Sequence, residues 1–380
     1  MQDSKNIPFN KPYLTGKETI YIQEAAQNGK LSGDGFFTKK CQSFFEEKYG
    51  FKKVFLTTSC TDALEMAAIL LDIQHDDEVI VPSYTFVSTA NAFILRGAKI
   101  VFADSNENHP GINEDLLEDL ITPNTKAIVV VHYAGIACNM EKIMALSEKY
   151  NLFVVEDAAQ AIDSYYNNKP LGSIGHLAAF SFHETKNIIA GEGGMLVIND
   201  EQFIQRAEII REKGTNRNKF FRGEVDKYNW VDIGSSFLPS EITAAFLYAQ
   251  IEAIDIIQQK RLLLWNTYFN ELIELEEYGI QFPNIASFAT NNAHAFYLIC
   301  KNADQRDALI KVLKSNDVLS VFHYLSLHNS PYFINKHDGR DLLNADKFSE
   351  CLIRLPMYYE LSTDEIKSKI APLVRSFFKD

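Results

Sequence analysis

Between residues 50 and 200, short runs rich in β-branched and aliphatic residues alternate with longer amphipathic stretches. That is the pattern of parallel strands joined by helices. Seven runs stand out: KVFLTT (53–58), EVIVPS (78–83), KIVFAD (99–104), AIVVVH (127–132), LFVVED (152–157), LAAFSF (177–182) and GMLVIN (194–199). A helical pattern follows most of them. In TDALEMAAILLDI, which begins at Thr61, residues Leu64, Ala67, Ala68 and Leu71 fall on one helical face. The pattern predicts a doubly wound α/β domain around a mostly parallel sheet.

The texture changes after about residue 250. SEITAAFLYAQIEAIDIIQQKRLLLWNTYFNELIEL, starting at Ser240, reads as one long helix, and shorter mixed α and β segments follow it to Asp380. A large α/β domain over 1–250 and a smaller C-terminal α+β domain over 251–380 are expected, with the helix at the junction. No repeat, low-complexity tract or Pro/Ser-rich linker interrupts the chain.

Composition narrows the functional classes. Hydrophobic residues make up 46% and charged residues 23% of the 380, ordinary globular usage that excludes a fibrous or disordered chain. The net charge of −13 is spread along the sequence and would repel nucleic-acid phosphates, so no nucleic-acid partner is expected. Five widely spaced cysteines, with no CxxC pair and no zinc-type His spacing, fit a reducing compartment and no metal site. MQDSKNIPFNKP lacks the basic-then-apolar order of a signal peptide, and no run nears the ~18 apolar residues of a membrane span. A cytoplasmic protein is expected.

In open α/β sheets, ligands bind outside the carboxyl ends of the strands, so the residues just past each run are the candidates for chemistry. After the first come Thr58, Ser59, Cys60 and Thr61 at a helix start, where free N–H groups suit either an anion or a plain N-cap. After the fifth comes Glu156-Asp157-Ala158-Ala159-Gln160. A carboxylate at that strand tip needs a cationic partner, such as a protonated pyridine nitrogen, unless it merely caps the next turn. After the sixth comes Ser181-Phe182-His183-Glu184-Thr185-Lys186-Asn187, then Gly191-Glu192-Gly193-Gly194. A desolvated lysine amine loses its proton readily and suits Schiff-base chemistry. The glycines permit close backbone approach or a tight hairpin. Phe86 can stack on a flat ring or belong to the core, Ser181 offers a hydroxyl to a phosphate, and His132 can be structural or catalytic. No GxGxxG follows the first strand, against a dinucleotide-dependent oxidoreductase.

These residues resemble the sugar aminotransferases of pyridoxal-phosphate (PLP) fold type I, the DegT/DnrJ/EryC1/StrS family. The likeness spans nearly the whole chain. It rests on TSCTDALEMA (58–67), DEVIVPSYTFVSTANAF (77–93), VVHYAGIACNM (130–140), VVEDAAQA (154–161), LGSIGHLAAFSFHETKNIIAGEGGML (171–196) and YLSLHNSPYF (324–333). FNKPYLTGKE, NGKLSGDGFFTKKCQ, REKGTNRNKFFRGEVDKY and DIGSSFLPSE are similar to members that make dTDP-4-amino-4,6-dideoxygalactose.

The resemblance implies that Lys186 holds PLP as a Schiff base and shuttles protons, that Asp157 pairs with the pyridine nitrogen and that Gln160 sits near the ring oxygen. It implies that Phe86 stacks on the ring while Cys60, Thr61 and Ser181 hold the phosphate. It also implies a homodimer with shared active sites. Ser236 stands where many relatives carry an asparagine reaching into the neighbour's site. The implied reaction moves nitrogen from glutamate to a dTDP-linked 4-keto-6-deoxy sugar. Arg217, Lys219 and Arg222 are candidates for the nucleotide diphosphate, and His323, Tyr324 and His328 for the sugar. The same reaction giving the gluco epimer is an alternative, and two further rivals are a keto-sugar dehydratase, in which a histidine replaces the lysine, and a catalytically silent relative. Lys186 stands against the dehydratase, and Lys186 with Asp157 against the silent relative.

Overall fold

A computed structural model describes residues 6–379. All seven expected strands form, in one sheet. They are β1 (Lys53–Thr57), β2 (Glu78–Pro82), β3 (Lys99–Ala103), β4 (Thr125–Val131), β5 (Phe153–Asp157), β6 (Leu177–Ser181) and β7 (Gly194–Ile198). The spatial order is β1-β7-β6-β5-β4-β2-β3, with every neighbouring pair parallel except β7, which runs antiparallel to β1 and to β6. The one reversed strand brings Gly194, at its start, level with Thr57 and Ser181, at the ends of the strands on either side.

Helices cover both faces, which is why the strands carry apolar residues throughout. Alternate strand residues divide between two cores: Val79, Val129, Val155 and Leu196 face one side, Ile80, Val130, Val154 and Val197 the other. Helices α1 (Glu18–Gln27) and α2 (Phe36–Tyr49) precede the sheet. Then α3 (Cys60–Leu70), α4 (Val87–Ile94), α5 (Met140–Tyr150) and α6 (Ile204–Ile210) follow β1, β2, β4 and β7, and a short α7 spans Arg217–Phe221.

The single long helix expected from Ser240 is two, α8 (Glu241–Glu252) and α9 (Ile254–Leu272). They meet at Ala253, whose φ of −102° and ψ of 6° leave the helical region. Ala244, Ala245, Leu247 and Ile251 of α8 and Ile254 and Ile257 at the start of α9 belong to the core on one sheet face, whereas Leu264, Trp265, Tyr268 and Leu272 further along α9 pack in a separate C-terminal core. That third core is built on an antiparallel pair, β8 (Phe296–Ile299) and β9 (Leu352–Leu355), with α10 (Ala303–Ser315) against it. It also takes Ile7, whose N–H donates to Asp317 O at 2.8 Å. The N-terminal segment thus crosses to the C-terminal part of the chain and passes the carboxyl edge of the sheet on the way.

Among the described residues, no helix is long and apolar enough to cross a membrane, and all five cysteines are free thiols.

Candidate active site

The carboxyl ends of β1, β4, β5 and β6 open into a cavity of about 510 Å³, closed from above by residues of the N-terminal segment and of the C-terminal core. Nine of the residues singled out in the sequence line it: Cys60, Thr61, Phe86, Asp157, Gln160, Ser181, Lys186, His323 and Tyr324.

At the end of β1, Ser59 is the N-cap of α3. Its Oγ accepts from Asp62 N at 3.0 Å and its carbonyl from Ala63 N at 3.3 Å. Those bonds leave the N–H groups of Cys60 and Thr61 at the helix start open to an anion, so the segment is both an N-cap and an anion seat. Thr61 Oγ1 lies 2.8 Å from Ser88 Oγ, which brings two hydroxyls together there. Gly194 packs directly beneath. A Cβ on it would stand 2.4 Å from Ser59 C and 2.5 Å from Cys60 N, so only glycine lets β7 run this close to the helix start.

At the end of β5, the two-residue period of the strand sends Glu156 and Asp157 to opposite faces. Glu156 is fully buried away from the cavity, where it pairs with His132 Nε2 at 2.9 Å and accepts from Gly172, Ile174 and Gly175 N. His132 is therefore a structural partner and does not line the cavity. Asp157 faces the cavity floor. Its Oδ2 accepts from Thr89 Oγ1 at 2.7 Å and its Oδ1 from Ala159 N at 3.2 Å. Burial raises its pKa above the ordinary value against the pull of these donors and of Lys186, so a cationic N–H entering the cavity would relieve it. Gln160 is held by Ala134 N, which donates to Oε1, and by Tyr324 OH, which accepts from Nε2 at 3.0 Å.

Lys186 sits in the turn after β6, its N–H donating to His183 O at 2.9 Å. No ion pair engages its amine among the described residues. Burial, with the neighbouring Arg354 cation adding to it and Cys60 and Asp157 opposing, lowers its pKa to about 8. Phe86 is 54% exposed, with its ring 5.9 Å from that of Tyr324 at the cavity rim. A half-exposed aromatic at that place is a platform for a ligand rather than a core residue.

Five sequence candidates lie elsewhere. His328 is buried outside the cavity, with Nδ1 2.7 Å from Ser83 Oγ and Nε2 3.5 Å from Asp346, so it braces the end of β2 instead of lining the sugar pocket. Arg222 is paired with Glu208 at 3.0 Å and Glu224 at 2.6 Å. Arg217 stacks over Phe221, and Lys219 shares the same short helix. Ser236 is exposed and its segment bridges to Glu212. None of these reaches this chain's own cavity.

The cavity also contains residues that sequence reasoning missed. Phe9 and Asn10 come from the N-terminal segment, where Asn10 Nδ2 donates to Glu184 O at 3.1 Å. His294 and Arg354 come from the C-terminal core. Arg354 carried a legible signal, a charge inside the apolar strand LIRL; Phe9 and Asn10 open the FNKPYLTGKE stretch of the family likeness, which does not say that they reach the cavity, and nothing local marks His294.

The two open N–H groups beside hydroxyls, the buried carboxylate and the low-pKa lysine in one cavity fit PLP by charge and chemistry at three points. The chain belongs to the DegT/DnrJ/EryC1/StrS aminotransferase family, whose sequence profile matches residues 12–374. Members of this family are PLP-dependent, and PLP is the cofactor of this chain. It is 32% identical to the spore coat polysaccharide biosynthesis protein SpsC of Bacillus subtilis, with 96% of this chain and 95% of that protein covered. Among solved structures it is similar to S. venezuelae DesV, crystallised in complex with a ketimine intermediate, at 27% identity and a TM-score of 0.90 over 99% of both chains. It is similar also to Helicobacter pylori PseC, an aminotransferase involved in pseudoaminic acid biosynthesis, at 25% identity and a TM-score of 0.88 over 99% of this chain and 100% of that one. The protein is a PLP-dependent sugar aminotransferase.

Proposed function

We propose that this enzyme transfers an amino group from glutamate to C4 of a dTDP-4-keto-6-deoxyhexose, giving the 4-amino-4,6-dideoxygalactose product for a surface polysaccharide. The observation that carries the chemistry is Lys186, with its pKa lowered to about 8, in one cavity with the buried Asp157. The substrate rests on the likeness of FNKPYLTGKE, REKGTNRNKFFRGEVDKY and DIGSSFLPSE to members of that specificity.

When bound, PLP supplies an electron sink for negative charge at the carbon that carries nitrogen. The side chains do the rest. Asp157 would hold the pyridine N–H and keep it protonated, and the α3 N-terminus with Thr61 and Ser181 would receive the phosphate. Phe86 would stack on the ring, and Gln160 would stand near the ring oxygen. Lys186, near neutrality a mixture of amine and ammonium, takes the proton from the donor's α-carbon in the first half-reaction and delivers one to the sugar carbon that receives the nitrogen in the second. His323 and Tyr324 line the side from which the sugar enters, and an adjoining cavity of about 540 Å³ shares them and Phe86.

Ser236 and the Arg217, Lys219, Arg222 group serve the partner's site in a homodimer. Two observations support this: they lie outside their own chain's cavity, and their segment exposes Phe221 at 66% and Trp230 at 81%, apolar surface that a second copy covers. We place the enzyme in the cytoplasm, where nucleotide sugars are at hand.

The test is the visible spectrum of the PLP-loaded protein before and after glutamate, beside Lys186→Ala. A band of lysine-bound cofactor that glutamate bleaches in the wild type, and that the variant lacks, supports the reading; no band in the wild type ends it. Kinetics with dTDP- and UDP-linked 4-keto sugars, and the C4 configuration of the product by NMR, decide the substrate. A clear preference for the UDP sugar, or an equatorial amine, would replace that assignment.

A further inference from the structure

Arg354 is a cation without an anion. It lies in β9, opposite Tyr297 of β8 in the strand pair, and both of its main-chain groups bond Val321, Arg354 N donating to Val321 O at 2.8 Å and Val321 N to Arg354 O at 3.2 Å. The side chain is only 7% exposed, yet it lines the catalytic cavity. Its Nε is buried with no hydrogen-bond partner. No carboxylate pairs with it among the described residues. The two carboxylates that line the cavity are otherwise engaged, Asp157 by Thr89 and Ala159 and Glu192 with His183 at 3.7 Å.

What holds the guanidinium is a neutral relay. Asn187 Nδ2 donates to Gln258 Oε1 at 2.8 Å and to Asn292 O at 2.9 Å, which turns its Oδ1 toward His294 Nδ1, 3.0 Å away. His294 therefore carries its proton on Nδ1 and presents the Nε2 lone pair to Arg354 Nη2 at 3.3 Å. Burial, with the Arg354, Lys186 and Arg261 cations adding to it, keeps this imidazole neutral. The guanidinium carbon also lies 5.5 Å from the Phe9 ring centroid. The relay orients the cation without neutralising it, although a buried charge without a counter-ion is costly. An arginine kept in that state in a binding cavity is arranged for an anion that arrives with a ligand.

We propose that Arg354 is the anchor for the α-carboxylate of the amino donor, and that it is what restricts the first half-reaction to amino acids. The inference rests on the aminotransferase reading above. The phosphate of PLP is directed to the α3 N-terminus and the pyridine nitrogen to Asp157, so the cofactor leaves Arg354 without an anion. Arg354 and Lys186 line the same cavity. An α-carboxylate is one bond from the carbon bearing the transferred nitrogen, and so falls near both. The diphosphate of a nucleotide sugar is separated from C4 by the sugar ring and does not fit so deep a position.

The experiment uses PLP-loaded wild type, Arg354→Gln and Arg354→Lys. Calorimetry with glutarate, a dicarboxylate lacking amine and carbonyl, reads carboxylate binding without turnover. Stopped-flow bleaching by glutamate reads the half-reaction, and the rate with hydroxylamine, an amine lacking a carboxylate, reads the reactivity of the lysine-bound cofactor itself. The expected result for Arg354→Gln is glutarate binding and glutamate half-saturation both weakened about 100-fold, with the hydroxylamine rate within about threefold of wild type. Arg354→Lys should recover part of the loss. Unchanged glutarate and glutamate constants in Arg354→Gln would overturn the proposal, as would a hydroxylamine rate that falls as far as the glutamate rate. A wild type that forms the visible band but is bleached by no amino acid would refute the donor class, and one that forms no band would refute the aminotransferase reading itself.

Discussion

Thr89 Oγ1 donates a 2.7 Å hydrogen bond to Oδ2 of Asp157. A hydroxyl has one proton, so the contact of 2.9 Å between Thr89 Oγ1 and Thr85 Oγ1 must run the other way, with Thr85 donating. Two buried threonines of the segment after β2 thus aim the carboxylate of β5. Thr89→Val keeps the shape and removes the donor. Losing a buried hydrogen bond to a charged group costs ~1.5–3 kcal/mol. PLP affinity and turnover should each fall about 10-fold, with Thr89→Ser restoring most of both. Asp157→Asn, which removes the anion, should cost turnover about 100-fold or more. If Thr89→Val titrates with PLP and turns over like the wild type, the strand alone positions Asp157.

Lys186 gives a pH signature in the cofactor-free protein. An ordinary lysine is almost wholly protonated at pH 8, whereas at a pKa of about 8 half of the Lys186 amines are neutral and able to attack an aldehyde. The rate at which PLP forms its visible band should rise with pH to about 8 and level off above it. A rate still climbing tenfold per pH unit at pH 9–10 would mean that Lys186 titrates like a solvated lysine. The same displacement fixes the sign of the linkage. The unfolded chain holds this proton up to a pH near 10, so the folded state is penalised below about 8 and the penalty fades between 8 and 10.

Much of this was legible beforehand, for a physical reason. Strands buried on both faces leave uninterrupted apolar runs, so all seven strands of the sheet could be read, and the residues just past their ends could be named before their neighbours were known. The one reversed strand, β7, was not legible as such, because orientation lies in the pairing and not in the composition. The break at Ala253 was hidden because both halves of the stretch are apolar at helical spacing and no glycine or proline marks the junction. His328 misled because a histidine in a motif near the site looks the same whether it faces a cavity or, as here, Ser83 and Asp346. That Phe9, Asn10 and His294 line the cavity was unreadable for the converse reason: each is distant in sequence from the strand tips and reaches the cavity only through the crossing of the chain ends.

Gly194 separates a packing requirement from a merely permissive turn. In Gly194→Ala the new Cβ meets backbone atoms of Ser59 and Cys60 at 2.4–2.5 Å, and neither can swing away as a side-chain tip would. The start of α3 must shift. A stability loss of ~1–3 kcal/mol is expected from such overpacking, read as a lower melting temperature, together with a loss of PLP affinity of about 10-fold or more as the N–H groups of Cys60 and Thr61 move off the phosphate. Gly191, at a φ of +77° with no atom near its added Cβ, should behave differently. Gly191→Ala should cost about 1 kcal/mol of stability and leave PLP affinity unchanged. Equal losses of affinity in the two variants would show that the glycine run acts through flexibility and not through the approach of β7 to α3.

Glu156 should determine the acid stability of the fold. Burial alone would raise its pKa, but His132 and the main-chain donors of Gly172 and Gly175 overcome burial and hold it below the ordinary value of 4.5. A carboxylate whose folded pKa is depressed contributes stability that is present above its unfolded pKa and is lost as the pH falls through the folded one. Glu156→Gln keeps the volume but turns an amide nitrogen toward main-chain donors and leaves His132 without its carboxylate. The variant should be less stable by ~3–5 kcal/mol at pH 7, the usual cost of breaking a buried pair. Because the wild type itself loses this contribution in acid, the gap between the two denaturation curves should narrow below pH 4.5. The sequence places Glu156 beside Asp157, but the strand sends it to the opposite face. Any PLP that the folded variant binds should therefore show a wild-type visible band, whereas an altered band would mean that Glu156 acts on the cofactor through Asp157.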